Sequence, residues 1–362
     1  MKKIRIATII GARPQFVKAA TVSRILKSKE EITETIIHTG QHYDQNMSDV
    51  FFKELDIPEP NYNLEIGSGS HGLQTGTMLI KIEELLLQEK PDIVLIYGDT
   101  NSTIAGALAA AKIHIPVAHV EAGLRSHNRK MPEEINRITS DHLSDLLFAP
   151  TETAVKHLTS EGLKKKTYLV GDVMYDSLNY YRKIIDRDPD KYKFNSPDTY
   201  YLATIHRPVN SDNKEKLQSI FNAFSRFNHQ VVFPAHPRVR KMIGNHNITV
   251  PQNVKIMEPV GYLAMISLLT HCKKIFTDSG GMQKEAYILG KPCVTLREET
   301  EWVETLYDNW NVLVGADEGK IHAAEQCELF SQEPKNFYGD GTAAVKIANH
   351  MVSFLAKAKD TD

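Results

Sequence analysis

The chain has 362 residues, too long for one comfortable hydrophobic core and suited to two domains of roughly 150–180 residues each. Hydrophobic residues make up 41% and charged residues 24%, a globular balance that excludes a disordered class, and a net charge of −2 supplies no broad basic field for nucleic acid or anionic membrane. An anionic ligand would need a local cationic cluster, and the three cysteines, Cys272, Cys293 and Cys327, have neither paired nor metal-like spacing and suit reduced thiols in a cytosol.

The first element in chain order is the apolar run Ile4–Ile10, which follows Met1-Lys2-Lys3. A basic start before an apolar run resembles a secretory signal, but the run is short and meets Gly11-Ala12-Arg13-Pro14, so a buried first strand is the better reading. Further strands are predicted at Thr35–Thr39, Ile93–Tyr97, Pro116–Val120 and Leu146–Ala149, with helical patterns at Gly76–Gln88 and Ser102–Lys112. Strand and helix in alternation predict βαβ units, hence an α/β protein whose parallel sheet carries helices on both faces. Residues 183–199 interrupt the rhythm. They are charged, carry Pro189 and Pro197, and lack periodic apolar positions, so they read as a link. The rhythm resumes at Tyr200–Ile205, Gln230–Phe233, Val254–Met257, Lys274–Thr277 and Pro292–Leu296, and a closing helix is predicted over Thr342–Ala358. The expected organisation is a Rossmann-like domain at 1–182, the link, a second such domain at 200–340, and a C-terminal helix at 341–362 packing back on the first domain. No stretch approaches the ~20 apolar residues of a membrane span, and the expected location is the cytoplasm.

Two doubly wound domains facing a cleft would present the carboxyl ends of their strands to a ligand. The residues just after each strand are therefore the ones to inspect. They are Gly11-Ala12-Arg13-Pro14-Gln15 with Lys18, Gly40-Gln41-His42, Gly98-Asp99-Thr100, Glu121-Ala122-Gly123-Leu124-Arg125, His206-Arg207-Pro208, Pro234-Ala235-His236-Pro237-Arg238 and Asp278-Ser279-Gly280-Gly281. Any one of these serves as an ordinary turn. Seven together, several unusually charged, are harder to explain that way. Ser279-Gly280-Gly281 opens a helix, where exposed N–H groups and the helix dipole suit a diphosphate, and Glu285 one turn later could take ribose hydroxyls. Arg13 and Lys18 could meet phosphate charge. No GxGxxG directly follows a predicted strand, and GxxxxGK[ST] is absent, which disfavours nicotinamide, flavin and P-loop chemistry.

The stretch HVEAGLRSHNRKMPEEINR, residues 119–137, is dense in charge. Pro132 suits a first helical turn, and Glu133 and Arg137, four apart, share a face. A solvated helix start accounts for Glu134. It does not account for Glu121, a carboxylate directly after a buried strand and poised for proton transfer, or for Asp99 on the neighbouring strand. The 15 histidines show no metal spacing, so no metal is expected.

The motifs GARPQF, TGQH, GDT, HVEAGLR, MPEEINR, HRP and TDSGG follow one another in this order. With them the chain resembles the non-hydrolysing UDP-N-acetylglucosamine 2-epimerases, from about residue 4 to about residue 355. The resemblance implies two Rossmann-like domains in the glycosyltransferase-B arrangement, a homodimer, a UDP-sugar as substrate, and no cofactor. It implies catalytic carboxylates at Asp99, Glu121 and Glu133, with Arg137 holding the cluster and His206 beside the diphosphate. Arg13, Lys18, Ser279, Gly280, Gly281 and Glu285 match UDP-binding positions, and Gln41, His42, Gln74, His236 and Arg297 complete the expected binding set.

Two departures stand out. Epimerases activated by a second UDP-sugar carry Gln-His-x-Gln and an Arg just before a later Gln, whereas here Gln41-His42-Tyr43-Asp44 and Leu73-Gln74 occur. The GARPQF start is also similar to relatives that epimerise UDP-2,3-diacetamido-2,3-dideoxy-glucuronate. A uronate would need an added cation, for which Arg125, Arg129, Arg207 and Arg238 are candidates. The expected substrate remains UDP-N-acetylglucosamine, with the uronate and the hydrolysing 2-epimerase reaction as alternatives.

Overall fold

A computed structural model describes residues 3–41, 59–192, 194, 197–327 and 332–359. It divides into two compact units, Met1–Asn179 with Phe337–Asp362, and Tyr180–Asn336.

The first unit holds a seven-stranded parallel sheet built from β1 (Ile4–Ile10), β2 (Ile32–His38), β3 (Tyr62–Asn63), β4 (Ile93–Tyr97), β5 (Val117–Val120), β6 (Leu146–Ala149) and β7 (Thr167–Leu169). The order is β3-β2-β1-β4-β5-β6-β7. The central strands are largely apolar because helices cover both faces, and β4 is apolar and buried at every residue. The helices are α1 (Arg13–Lys27), α2 (His71–Glu89), α3 (Asn101–Lys112), α4 (Pro132–Leu143), α5 (Glu152–Ser160) and α6 (Val173–Arg187). The chain winds outward from β1 in both directions, so the switch point lies between β1 and β4, where ligands of such sheets bind. The C-terminal helix Ala343–Lys359 packs on α1, and the Ala344 amide donates to Asp176 at 2.9 Å.

The second unit repeats the plan with six parallel strands, β8 (Tyr200–Thr204), β9 (Gln230–Pro234), β10 (Val254–Met257), β11 (Lys274–Thr277), β12 (Cys293–Thr295) and β13 (Asn311–Leu313), in the order β10-β9-β8-β11-β12-β13. Its helices are α7 (Lys214–Ser225), α8 (Pro237–Asn245), α9 (Tyr262–His271), α10 (Gly280–Ile288) and α11 (Glu318–Gln326), besides a short turn at Pro208–Ser211. Tyr201, Phe221, Phe224, Phe227, Phe233 and Phe276 fill the core on one face of this sheet. The switch point falls between β8 and β11.

The stretch read as a link at 183–199 begins inside a helix. Residues Met174, Leu178, Tyr181 and Ile185 are buried at helical spacing and carry α6 on to Arg187, so the two units divide within that helix.

Candidate active site

In the first unit the site is built on the turns that follow β4 and β5. After β4, Gly98 takes a left-handed φ of 62° and delivers Asp99. The Asp99 carboxylate receives Nε and Nη2 of Arg137, each at 2.9 Å. The Asn136 amide donates to the Asp99 carbonyl at 2.9 Å. Both partners come from the inward face of α4, which Pro132 opens. The remaining arm of Arg137, Nη1, goes to Glu134.

That contact corrects the reading of Glu134 as a solvated helix start. Glu134 is buried and accepts the amides of Ser126 and His127, each at 2.9 Å, so it braces the loop before its own helix. Burial opposes its charge, but the Ser126 amide, Arg137 and the His127 amide together hold its carboxyl below the usual range. Glu133, expected to share Arg137, lies half-buried and makes no ion pair among the described residues.

After β5, Glu121 takes a φ of 71°, a conformation that costs a non-glycine residue about 1–3 kcal/mol and persists only where neighbours enforce it. The strand has already ended at Val120, so strand alternation does not govern where Glu121 points relative to His119. The Glu121 amide donates to the Phe148 carbonyl at 3.1 Å. Its carboxylate pairs with Lys18 Nζ. A Cβ on Gly98 would stand 3.3 Å from Glu121 Oε2 and 3.4 Å from Lys18 Nζ, so Lys18, Gly98 and Glu121 converge at the switch point. Lys18, expected against phosphate, thus lies against a carboxylate.

Several glutamines frame this corner. Gln41 Oε1 accepts from the amide and the hydroxyl of Ser102, at 3.0 and 2.7 Å, at the start of α3. Gln74 is buried, donates to the Gly67 carbonyl at 2.6 Å and accepts from Asn101 at 2.8 Å. Gln15, not among the expected residues, accepts the amides of Gly11 and Ala12 and donates to the Tyr97 carbonyl at 2.8 Å, which ties the β1 turn to the end of β4. Arg13 opens α1, but its side chain, like His42, lies outside the described residues.

In the second unit the junction is Asp278, fully buried after β11. Its carboxylate accepts the amides of His206 and Arg207, each at 3.0 Å, and the Asn210 side chain at 3.1 Å, joining the ends of β8 and β11. The His206 ring is half-exposed, with Nδ1 3.2 Å from Asp278. Ser279 caps α10 by accepting the Met282 amide at 3.4 Å, and Gly280 and Gly281 form the first turn of that helix. Glu285 is buried and receives the Tyr262 hydroxyl at 3.1 Å. Arg297, also buried, holds Glu301 at 2.9 Å, and a side chain on Gly280 would collide with that carboxylate. His236 caps α8 through Nδ1, which accepts the Arg238 amide at 3.2 Å. Two neighbours escaped the sequence: Lys284, buried and 3.9 Å from the centre of the Trp302 ring, and Glu301 itself. Neither follows a strand directly, so strand-end position does not single them out.

Of the four arginines considered for a uronate, Arg125 is wrongly placed. It is buried, with Nη1 2.8 Å from Asp141 and a two-pronged bond to Glu161 at 2.7 Å, so internal carboxylates engage its donors. Arg238 pairs with Asp212 at 2.5 Å.

A family model described as UDP-N-acetylglucosamine 2-epimerase matches residues 24–352. A Methanococcus maripaludis protein described as a UDP-N-acetylglucosamine 2-epimerase homolog is 55% identical over 354 residues, covering 95% of this chain and 98% of that one. A UDP-2,3-diacetamido-2,3-dideoxy-D-glucuronate 2-epimerase of Pseudomonas aeruginosa is 48% identical over 356 residues, covering 96% and 99%. The crystal structure of Methanocaldococcus jannaschii UDP-GlcNAc 2-epimerase in complex with UDP-GlcNAc and UDP superposes with a TM-score of 0.91 at 43% identity, covering 97% of this chain and 100% of that one.

Proposed function

The chain belongs to the UDP-N-acetylglucosamine 2-epimerase family, and from that membership we propose that it interconverts UDP-N-acetylglucosamine and UDP-N-acetylmannosamine without releasing free sugar. It is an epimerase. The observation that carries the mechanism is the pair of carboxylates, Asp99 and Glu121, set on adjacent strand ends and each held by a cation.

The hydrogen on sugar carbon 2 is not acidic, since no carbonyl adjoins it. Early loosening of the bond from carbon 1 to the diphosphate oxygen gives carbon 1 oxocarbenium character and acidifies that hydrogen. A carboxylate then takes the proton, the C–H electrons form the C1–C2 double bond, and UDP departs with the electron pair of the broken bond. The products are 2-acetamidoglucal and UDP. In the return step the alkene is protonated at carbon 2 from the opposite face and the diphosphate oxygen re-forms its bond to carbon 1. Asp99 and Glu121 are the proposed proton carriers, with Glu133 as the third expected carboxylate. Arg137 and Lys18 are proposed to keep the carriers charged and oriented. For the leaving diphosphate we propose Ser279 with the amides of Gly280 and Gly281 at the start of α10, with His206 as its partner and Glu285 for the ribose. Expulsion of water protects the glycal.

A second substrate is favoured by one observation, the 48% identity to the diacetamido-glucuronate epimerase. Incubating the protein with each UDP-sugar and following the sugar protons by NMR tests both readings. Nucleotide-linked N-acetylmannosamine supports the first, conversion of the uronate alone supports the second, and free N-acetylmannosamine with UDP would overturn both in favour of hydrolysis.

As the partner of the first unit we propose a second copy of the chain. Leu73, Ile80 and Leu87 are 68%, 61% and 55% exposed, and their seven-residue spacing sets them in one apolar row along α2.

A further inference from the structure

Beneath the two carboxylate-bearing turns runs a row of linked side chains, His119, Asp141, Arg125 and Glu161. The His119 ring on β5 is fully buried. Its Nε2 lies 2.7 Å from the Gly98 carbonyl and its Nδ1 2.7 Å from Asp141 Oδ1 on α4. A carbonyl oxygen only accepts, so Nε2 carries a hydrogen. Asp141 is enclosed by donors. Its other oxygen receives the Gly123 amide at 3.1 Å and Arg125 Nη1 at 2.8 Å. Burial opposes its charge, but the hydrogen bond and charge of His119, followed by Arg125, outweigh burial and hold its carboxyl below the usual range. Asp141 Oδ1 stands against Nδ1, so the ring is held at both nitrogens. Arg125 then links Asp141 to the partly exposed Glu161, so each of these charged groups meets an opposite partner.

The row touches the site at two places. Gly98 precedes Asp99, and Gly123 follows Glu121 by two residues. One histidine–aspartate pair therefore grips the carbonyl ahead of one carboxylate and the amide behind the other. The gripped glycines, Gly98 at 62° and Gly123 at 85°, take left-handed φ freely, whereas Glu121 at 71° is held there against local preference.

We propose that His119 is a positioning residue for the epimerisation. Its Nε2–H bond to Gly98, locked by Asp141, fixes the Asp99 turn against the Glu121 turn and so sets the spacing of the two proton carriers. The proposal rests on the roles given above to Asp99 and Glu121.

Two variants of similar size and polarity separate positioning from bulk stability. The amide nitrogen of His119→Gln falls near the place of Nε2 and keeps the donor to Gly98. That of His119→Asn falls near Nδ1 and keeps only the Asp141 side. With melting temperature and UDP affinity matched between the two, His119→Asn is expected to lower kcat at least about tenfold with KM within about twofold, and His119→Gln to restore kcat to within about threefold of the unaltered protein. Equal kcat in the two folded variants would overturn the proposal. A crystal structure of the unaltered protein with UDP decides it if either variant fails to fold. Retention of the His119–Gly98 bond supports the proposal, and a separation beyond 3.5 Å overturns it. Failure of the epimerase reading looks different, as unaltered protein that converts no UDP-sugar.

Discussion

Glu121 carries the densest combination of strain and charge in the first unit: a left-handed backbone, a buried carboxylate and a lysine partner. Glu121→Gln and Asp99→Asn keep shape and remove the proton-accepting oxygen. Each is expected to lower turnover about 10²–10⁴-fold while UDP affinity, measured by calorimetry, stays within about threefold. Near-normal rates in both would refute their assignment. Asp141 and Glu134 lead to a stability expectation. Their carboxyls lie below the usual range in the folded chain, so the unfolded chain binds protons first as pH falls. Their contribution is complete above about pH 5 and is lost as pH drops through the lowered folded values. Asp141→Asn breaks a buried pair and is expected to cost about 3–5 kcal/mol at pH 7, with a shallower loss of stability between pH 5 and 3 in urea titrations. A parallel pH dependence in the variant would contradict this. Which of two adjacent glutamates meets Arg137 was not legible in the sequence. Spacing favoured Glu133, but the loop at 124–131 presents its amides to Glu134, and only the folded path of that loop decides between them.

At the scale of elements, the turns are held by the helices packed behind them. Gly123 has a φ of 85°, and a Cβ there would stand 2.6 Å from the Ala154 carbonyl of α5. Gly123→Ala is therefore expected to destabilise the protein by about 2–4 kcal/mol, strain and overpacking together, as read from urea midpoints. A loss under about 1 kcal/mol would show that the turn has room to relax. The strands with long apolar runs were legible because a sheet buried on both faces demands them, and the polar residues at their ends were legible for the same reason: the run stops abruptly. The edge strands β3, β7 and β13, of two or three residues, were not, since such lengths carry no periodicity and exist through pairing alone. The passage of α6 through the expected link was masked by surface charge and the prolines beyond it, although its buried positions kept helical spacing. Gln15 and the His119–Asp141 pair stayed hidden for another reason. The Tyr97 carbonyl that Gln15 reaches and the Asp141 that His119 reaches lie on distant parts of the chain, and nothing local to either residue announces those contacts.

For the whole molecule, both units offer the same device: a parallel sheet, a switch point, and charged residues on the turns beside it. Under the proposed function the first would handle protons through Asp99 and Glu121, and the second would offer amides at the start of α10 to an anion. Assembly is a separate matter, and the apolar row on α2 addresses it. Ile80→Glu is expected to convert a dimer to monomers in analytical ultracentrifugation, and an unchanged sedimentation coefficient would remove α2 from the interface. The central claim concerns the hydrogen on carbon 2, and the most direct measurement follows it. The protein is incubated with UDP-N-acetylglucosamine in deuterium oxide, and carbon 2 of the nucleotide-linked product is read by NMR and mass spectrometry. One deuterium at carbon 2 of UDP-N-acetylmannosamine, with free UDP never accumulating, is the expected result; product that keeps its original hydrogen there would contradict the account.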